Sequence, residues 1–174
     1  MEEALELENR RNIFRFVSDN PGTYFREIQK ELDLATGVLE YHLGYLVKER
    51  LLSTEKAGKK RRYFVSQDVP HPDKRTLGLM RQKTPRRIAI YALLNPNCSF
   101  QDLLGEFTIS KSTLSFHLKK LLRARILESI KKGRKKFYRV VDPEETARVL
   151  ISYKSSFVDS VVDSFADVWL EVGK

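Results

Sequence analysis

Sliding this 174-residue chain against itself by 75 residues lays His42 on His117, and no gap is needed from about residue 11 to 65. The identities include Arg11/Arg86, Ile13/Ile88, Pro21/Pro96, Phe25/Phe100 and Leu39/Leu114. They continue with Leu43/Leu118, Leu46/Leu121, Arg50/Arg125, Leu52/Leu127, Gly58/Gly133 and Tyr63/Tyr138. A period of this length exceeds a solenoid unit, and each copy holds enough apolar residues for a small core of its own. The chain is therefore expected to contain two copies of one domain.

The local signals run in the same order in both copies. Residues 2–18 carry a helical pattern stopped by Asn20-Pro21-Gly22, and Thr23 stands where a cap for a short second helix is needed. A turn at Asp33 to Ala35 precedes a helix from Thr36 to Arg50. Leu51 to Lys56 and Arg61 to Ser66 read as strands joined at Ala57-Gly58-Lys59. The second copy repeats this with helices near 85–94, 100–106 and 110–124 and a hairpin tip at Lys131 to Lys136. Helix, helix-turn-helix and basic hairpin make a winged helix. The expected fold class is mainly α with small β-hairpin wings (α+β): two tandem winged-helix domains plus a long C-terminal helix. The boundaries are 1–68, a linker at 69–84, 85–142, and a C-terminal helix at 143–174.

Ser110 to Leu127 carries the sharpest signal. Leu114, Leu118 and Leu121 fall on one side at helical spacing, while Ser112, Phe116, Lys119 and Arg123 fall opposite, flanked by Ser115 and Lys120. One face suits a small core. The other is a rod of hydroxyls, one ring and positive charge, which fits a major groove. The sequence Ser110-Lys-Ser-Thr-Leu-Ser-Phe-His-Leu-Lys-Lys-Leu, followed by Ile126-Leu127, resembles the recognition helix of ArsR-type winged-helix transcription regulators. Thr36-Gly-Val-Leu-Glu-Tyr-His-Leu-Gly-Tyr-Leu with Leu51-Leu52 resembles it more weakly, and the tandem arrangement resembles a class of archaeal regulators. The Cys-x-Cys pattern typical of metal-responsive members is absent from both helices, which argues against metal sensing of that kind.

Charge agrees with a polyanionic partner. The chain carries +9 at neutral pH; residues 85–142 hold 13 basic and 4 acidic side chains, against 12 and 9 in residues 7–68. The expected partner is double-stranded DNA. In the second copy Ser112, Ser115 and Phe116 are placed against bases and sugars and Lys119, Lys120 and Arg123 on phosphates. Arg134, Lys135 and Lys136 form the wing around Gly133. In the first copy the corresponding residues are Thr36, Glu40, Tyr41, Tyr45 and Lys48 on the helix and Lys59, Lys60 and Arg61 on the wing. A carboxylate and two tyrosines leave two readings for that face, DNA contact led by the wing or contact with a protein of the transcription machinery. The competing function for the whole chain is a winged-helix interaction module of the transcription or chromosome machinery with only non-specific DNA affinity.

Other chemistry finds little support. His42 and His117 have no second His, Cys or carboxylate at ligand spacing, so the expected metal set is none, and no cofactor is expected. No nucleophile–base pair or Gly-rich phosphate loop appears, and an enzyme is not expected. The single cysteine, Cys98, cannot form an internal disulfide, which suits a reducing cytoplasm. No apolar run is long enough to span a membrane, and the acidic Met1-Glu2-Glu3 start is unlike a signal peptide.

Asp142-Pro143-Glu144-Glu145 is a strong helix start. From there Val149, Tyr153, Phe157, Val161, Phe165 and Trp169 recur at three- or four-residue steps. A helix of almost thirty residues so lined is expected to pack as a homodimer interface, or else to fold back on its own chain.

Overall fold

The structure, a computed structural model, describes residues 3–66, 71–154, 157 and 161–172. The chain divides into two compact units at the Lys74–Arg75 step.

In the first unit a single 3-10 turn (Glu3–Leu5) precedes α1 (Glu8–Asp19), followed by β1 (Thr23–Tyr24), α2 (Phe25–Leu32) and α3 (Thr36–Lys48). The wing is β2 (Leu52–Ala57) and β3 (Lys60–Val65). It is not a free two-stranded hairpin as expected: β1 adds to β3, giving an antiparallel sheet of order β1-β3-β2, with Thr23 opposite Tyr63. This anchors the root of the wing on the core, since a lone two-stranded hairpin is marginal in water. Thr23 accordingly lies in a strand and its hydroxyl donates to Glu27 at 2.7 Å, while Glu27 accepts from the Tyr24 N–H at 3.0 Å and closes the start of α2.

The core of this unit gathers Ile13, Val17, Ile28, Leu39, Leu43, Leu46, Leu52, Tyr63 and Val65. Every one has a buried counterpart 75 residues on: Ile88, Ala92, Leu103, Leu114, Leu118, Leu121, Leu127, Tyr138 and Val140. These sit in α5 (Lys83–Leu94), α6 (Phe100–Glu106), α7 (Lys111–Arg123), β5 (Leu127–Lys132) and β6 (Lys135–Val140), with β4 (Cys98–Ser99) as the third strand in order β4-β6-β5. The expected linker opens at Val69 and Pro70, outside the described residues, and most of the rest is α4 (His71–Met80), in which Leu77, Leu79 and Met80 are buried.

The repeat extends to backbone detail. Arg50 and Arg125 both take left-handed φ, 56° and 57°, just after α3 and α7. In each case the next N–H reaches back to the carbonyl five residues earlier, Leu51 to Leu46 and Ile126 to Leu121, both at 3.0 Å. This is the Schellman ending, with arginine where glycine is the usual choice. It turns the chain sharply from the second helix of each helix-turn-helix into its wing.

The C-terminal segment departs from the single long helix expected of it. It forms α8 (Pro143–Ser152) and α9 (Val161–Val172). Asp142 starts α8 as expected, its carboxylate accepting from the Glu145 N–H at 2.9 Å. Tyr153 ends it, and Phe157, outside any helix, is buried with its ring 4.9 Å from the Arg86 guanidinium. The break buries Phe157 and packs α9 back on α8 and α5, and Ser152 offers little helix propensity to resist it.

Candidate nucleic-acid interface

In the second unit Ser110 caps α7, its hydroxyl accepting from the Thr113 N–H at 3.1 Å. Leu114, Leu118 and Leu121 are buried, which turns Ser112, Phe116, Lys119 and Arg123 outward, all exposed; Phe116 keeps 55% of its surface. Ser115 is half-buried. The Ser112 hydroxyl lies 2.8 Å from Ser110 Oγ, a bond it must share with any base it meets.

Lys120, expected on phosphates, has partners within its own unit. Its ammonium donates to Gln82 Oε1 at 3.1 Å and sits 4.5 Å over the Phe116 ring. The cation stiffens the ring it covers and is itself tied to the approach of α5. Gln82 carried no signal in the sequence that would have paired it with Lys120.

His117 packs its ring edge-on against Phe116 at 5.3 Å, and His42 does the same with Tyr41 at 5.2 Å. Burial pushes both imidazoles below their ordinary pKa, with Lys120 adding to the effect at His117 and Arg10 at His42. Both are thus neutral packing groups at neutral pH. Among the described residues no cluster of His, Cys, Asp and Glu could hold a metal.

The wing of this unit has a feature that composition alone did not reveal. Gly133 takes φ +60° and opens a two-residue turn, which sets Lys132 directly across from Lys135 and Lys131 across from Lys136. Arg134 is exposed at the tip. Like charges facing each other across a hairpin are unfavourable, and here they gather four exposed cations on one wing. Lys131 and Lys132 therefore join the expected set of Arg134, Lys135 and Lys136.

The first unit places its predicted residues differently. Thr36 is exposed, but its hydroxyl accepts from Gln29 Nε2 at 2.9 Å. Glu40, Tyr41 and Lys48 are exposed, Tyr41 to 63%. Tyr45 does not form an open pair with Tyr41: it is half-buried, with the Arg10 guanidinium 3.6 Å from its ring centre. On the wing Lys59, Lys60 and Arg61 are exposed around Gly58, whereas Arg62 is buried and donates to the Tyr24 hydroxyl at 3.0 Å.

Cys98 is buried in β4, its thiol pKa pushed up to about 11 chiefly by that burial, so it carries no thiolate at neutral pH. Of the residues placed at a dimer interface, Val149, Phe157 and Phe165 are buried within the chain itself. Tyr153, Val161 and Trp169 are half-buried, and among the described side chains of α9 Val168 and Leu170 are exposed. Among the described residues no helix is long and apolar enough to cross a membrane.

Two successive winged helices, each presenting the second helix of its helix-turn-helix beside a cationic wing, define a tandem winged helix-turn-helix architecture. Comparison with known proteins agrees. Residues 7–77 match a family described as an N-terminal HTH domain, and residues 84–129 match the bacterial regulatory protein arsR family. An uncharacterized HTH-type transcriptional regulator of Methanocaldococcus jannaschii is 30% identical over 79% of this chain, which spans 34% of that relative's length. Two solved structures are similar in part. Reduced HlyU from Vibrio cholerae is 24% identical (TM-score 0.42), covering 48% of this chain and 86% of its own. A possible transcriptional regulator for arsenical resistance is 27% identical (TM-score 0.38), covering 53% and 94%.

Proposed function

We propose that this chain is a cytoplasmic, sequence-specific regulator of transcription that binds double-stranded DNA. The second unit lays α7 in the major groove, with Ser112, Ser115 and Phe116 toward base edges and Lys119 and Arg123 on phosphates. Its wing runs along the backbone or into the minor groove. The observation that carries this is the facing of Lys131 with Lys136 and Lys132 with Lys135, which concentrates four exposed cations on one wing in a way that suits a polyanion. Phe116, exposed beside the hydroxyls, supplies an apolar contact of the kind that suits a thymine methyl.

In the first unit the wing cations Lys59, Lys60 and Arg61 contact DNA, and Lys48 lies at the end of the helix toward the backbone. The exposed Tyr41 beside Glu40 favours a second reading for that helix face alone, contact with a protein of the transcription machinery. A homodimer through α9, using Val161, Val168, Trp169 and Leu170, would carry four winged helices and match an inverted-repeat operator. Selection of bound sequences from a random duplex pool tests this: an enriched, partly palindromic motif supports it, and a pool that stays random rejects it.

A further inference from the structure

The two units share a fold but not a charge pattern, and some of the differences meet at one place in the first unit. Two hollows there share a wall of Phe25, Arg61 and Tyr63. The larger, about 370 Å³, is completed by Tyr24, Arg26, Lys59 and Lys60. Its lining therefore combines four cations with three aromatic rings and no carboxylate. Cations hold phosphate oxygens, and rings stack on a flat heterocycle. The Tyr24 hydroxyl accepts from Arg62 Nε at 3.0 Å and the Lys60 ammonium lies 5.4 Å from its ring centre, which fixes that ring among the cations and leaves the half-buried Phe25 as the ring for stacking.

The second hollow, about 290 Å³, lies between α3 and the wing and includes Glu40 and Gly44. A carboxylate on this face opposes DNA phosphates, but it accepts well from ring N–H and exocyclic amino groups of a base. Gly44 sits mid-helix, where glycine weakens a helix, and a Cβ there would meet nothing within 4 Å. Packing of the chain itself therefore does not call for glycine; the bare backbone leaves room beside Glu40.

The internal repeat supplies the control. Counterparts of the shared wall persist as Phe100, Lys136 and Tyr138, yet Tyr24, Arg26, Glu40 and Gly44 become Ser99, Gln101, Ser115 and Lys119. The second copy therefore lacks the ring, cation, carboxylate and bare backbone that Tyr24, Arg26, Glu40 and Gly44 supply, and Val47 and Thr54 also become Leu122 and Ser129. We infer that the first unit binds a free nucleoside phosphate with an amino-bearing base, its phosphates held by Arg26 and the wing cations and its base edge by Glu40. Bound there, between α3 and the wing, the nucleotide occupies the surface this unit would turn to DNA, and so acts as an effector. That regulatory consequence rests on the DNA-binding function proposed above; the binding itself does not.

Calorimetric titration of the full chain without DNA tests the site, using GTP, ATP, UTP and inorganic pyrophosphate as titrants. The expected result is saturable 1:1 binding of GTP or ATP, at least tenfold tighter than UTP or pyrophosphate. Arg26→Ala, at an exposed position, weakens it at least tenfold, and Glu40→Gln narrows the gap to UTP while leaving the circular dichroism spectrum unchanged. No saturable binding at millimolar nucleotide, pyrophosphate binding as tight as GTP, or unchanged affinity in Arg26→Ala would each overturn the site. So would an Arg26→Ala variant that loses duplex affinity in a protein that binds no nucleotide, since the cleft would then be a DNA backbone contact.

Discussion

Lys132 stands directly across the β5–β6 hairpin from Lys135, locked in register by a two-residue turn at Gly133 and Arg134. A free protein gains nothing from that pairing. Replacing one member should therefore move folding stability and DNA affinity in opposite directions. For Lys132→Ser we predict a gain of about 0.2–1 kcal/mol at low salt, measured by urea unfolding. Duplex affinity should fall, and the slope of log affinity against log salt should become shallower by about 0.9 for the lost phosphate contact. A lower urea midpoint at low salt would show that the pair is not strained.

The glycines divide by backbone conformation. Gly133 holds φ +60° in open space, so Gly133→Ala suffers only the left-handed penalty, roughly 1–2 kcal/mol. Gly44 has ordinary helical surroundings and equal space, so Gly44→Ala should stabilise by about 0.5–1 kcal/mol. Opposite shifts in thermal midpoint for the two variants check this pair of signs.

His42 and His117 give the protein a pH dependence whose sign follows from their burial. Folding lowers both imidazole pKa values below the ordinary 6.5, so the unfolded chain binds protons first. Stability is then undiminished above pH 6.5, falls as pH drops below it, and levels off once the folded-state values are passed. Urea midpoints measured from neutral to mildly acidic pH should show this fall, and the double variant His42→Gln/His117→Gln should show less of it. An equal fall in the double variant would assign the effect to other groups.

Much of this architecture was legible in the sequence because the chain states it twice. Leu39, Leu43 and Leu46 define a helix face, and Leu114, Leu118 and Leu121 repeat it, so a chance pattern in one copy is corrected by the other. What was not legible depends on distant pairing. Arg10 covering Tyr45 and Gln82 holding Lys120 join residues more than thirty positions apart that carry no complementary motif. The strands β1 and β4 are two residues long, too short for alternation to register. The break between α8 and α9 was hidden because apolar spacing continues through it: Tyr153 and Phe157 keep the helical step while the backbone leaves the helix. Periodicity reports which residues seek burial, not whether one straight rod provides it.

The tail yields a prediction that separates folding from assembly. Phe165 is buried within the chain, so Phe165→Ala should cost about 3–5 kcal/mol whatever the oligomeric state. Leu170 is 58% exposed, so Leu170→Asp should leave the thermal midpoint within a few degrees and convert a dimer to a monomer in size-exclusion chromatography with light scattering. A wild-type chain already monomeric at micromolar concentration would remove the α9 interface from the account.

The central claim is that α7 of the second unit reads sequence, and one comparison addresses it most directly. Affinity is measured for a selected duplex and for its scrambled counterpart at fixed salt, about 150 mM, with wild type and with Ser112→Ala/Phe116→Ala. The account predicts a wild-type preference of roughly 10³-fold or more, with most of it lost in the double variant while affinity for the scrambled duplex is retained. Equal affinity of the wild type for both duplexes, fading together as salt rises, would contradict it and leave phosphate contact alone.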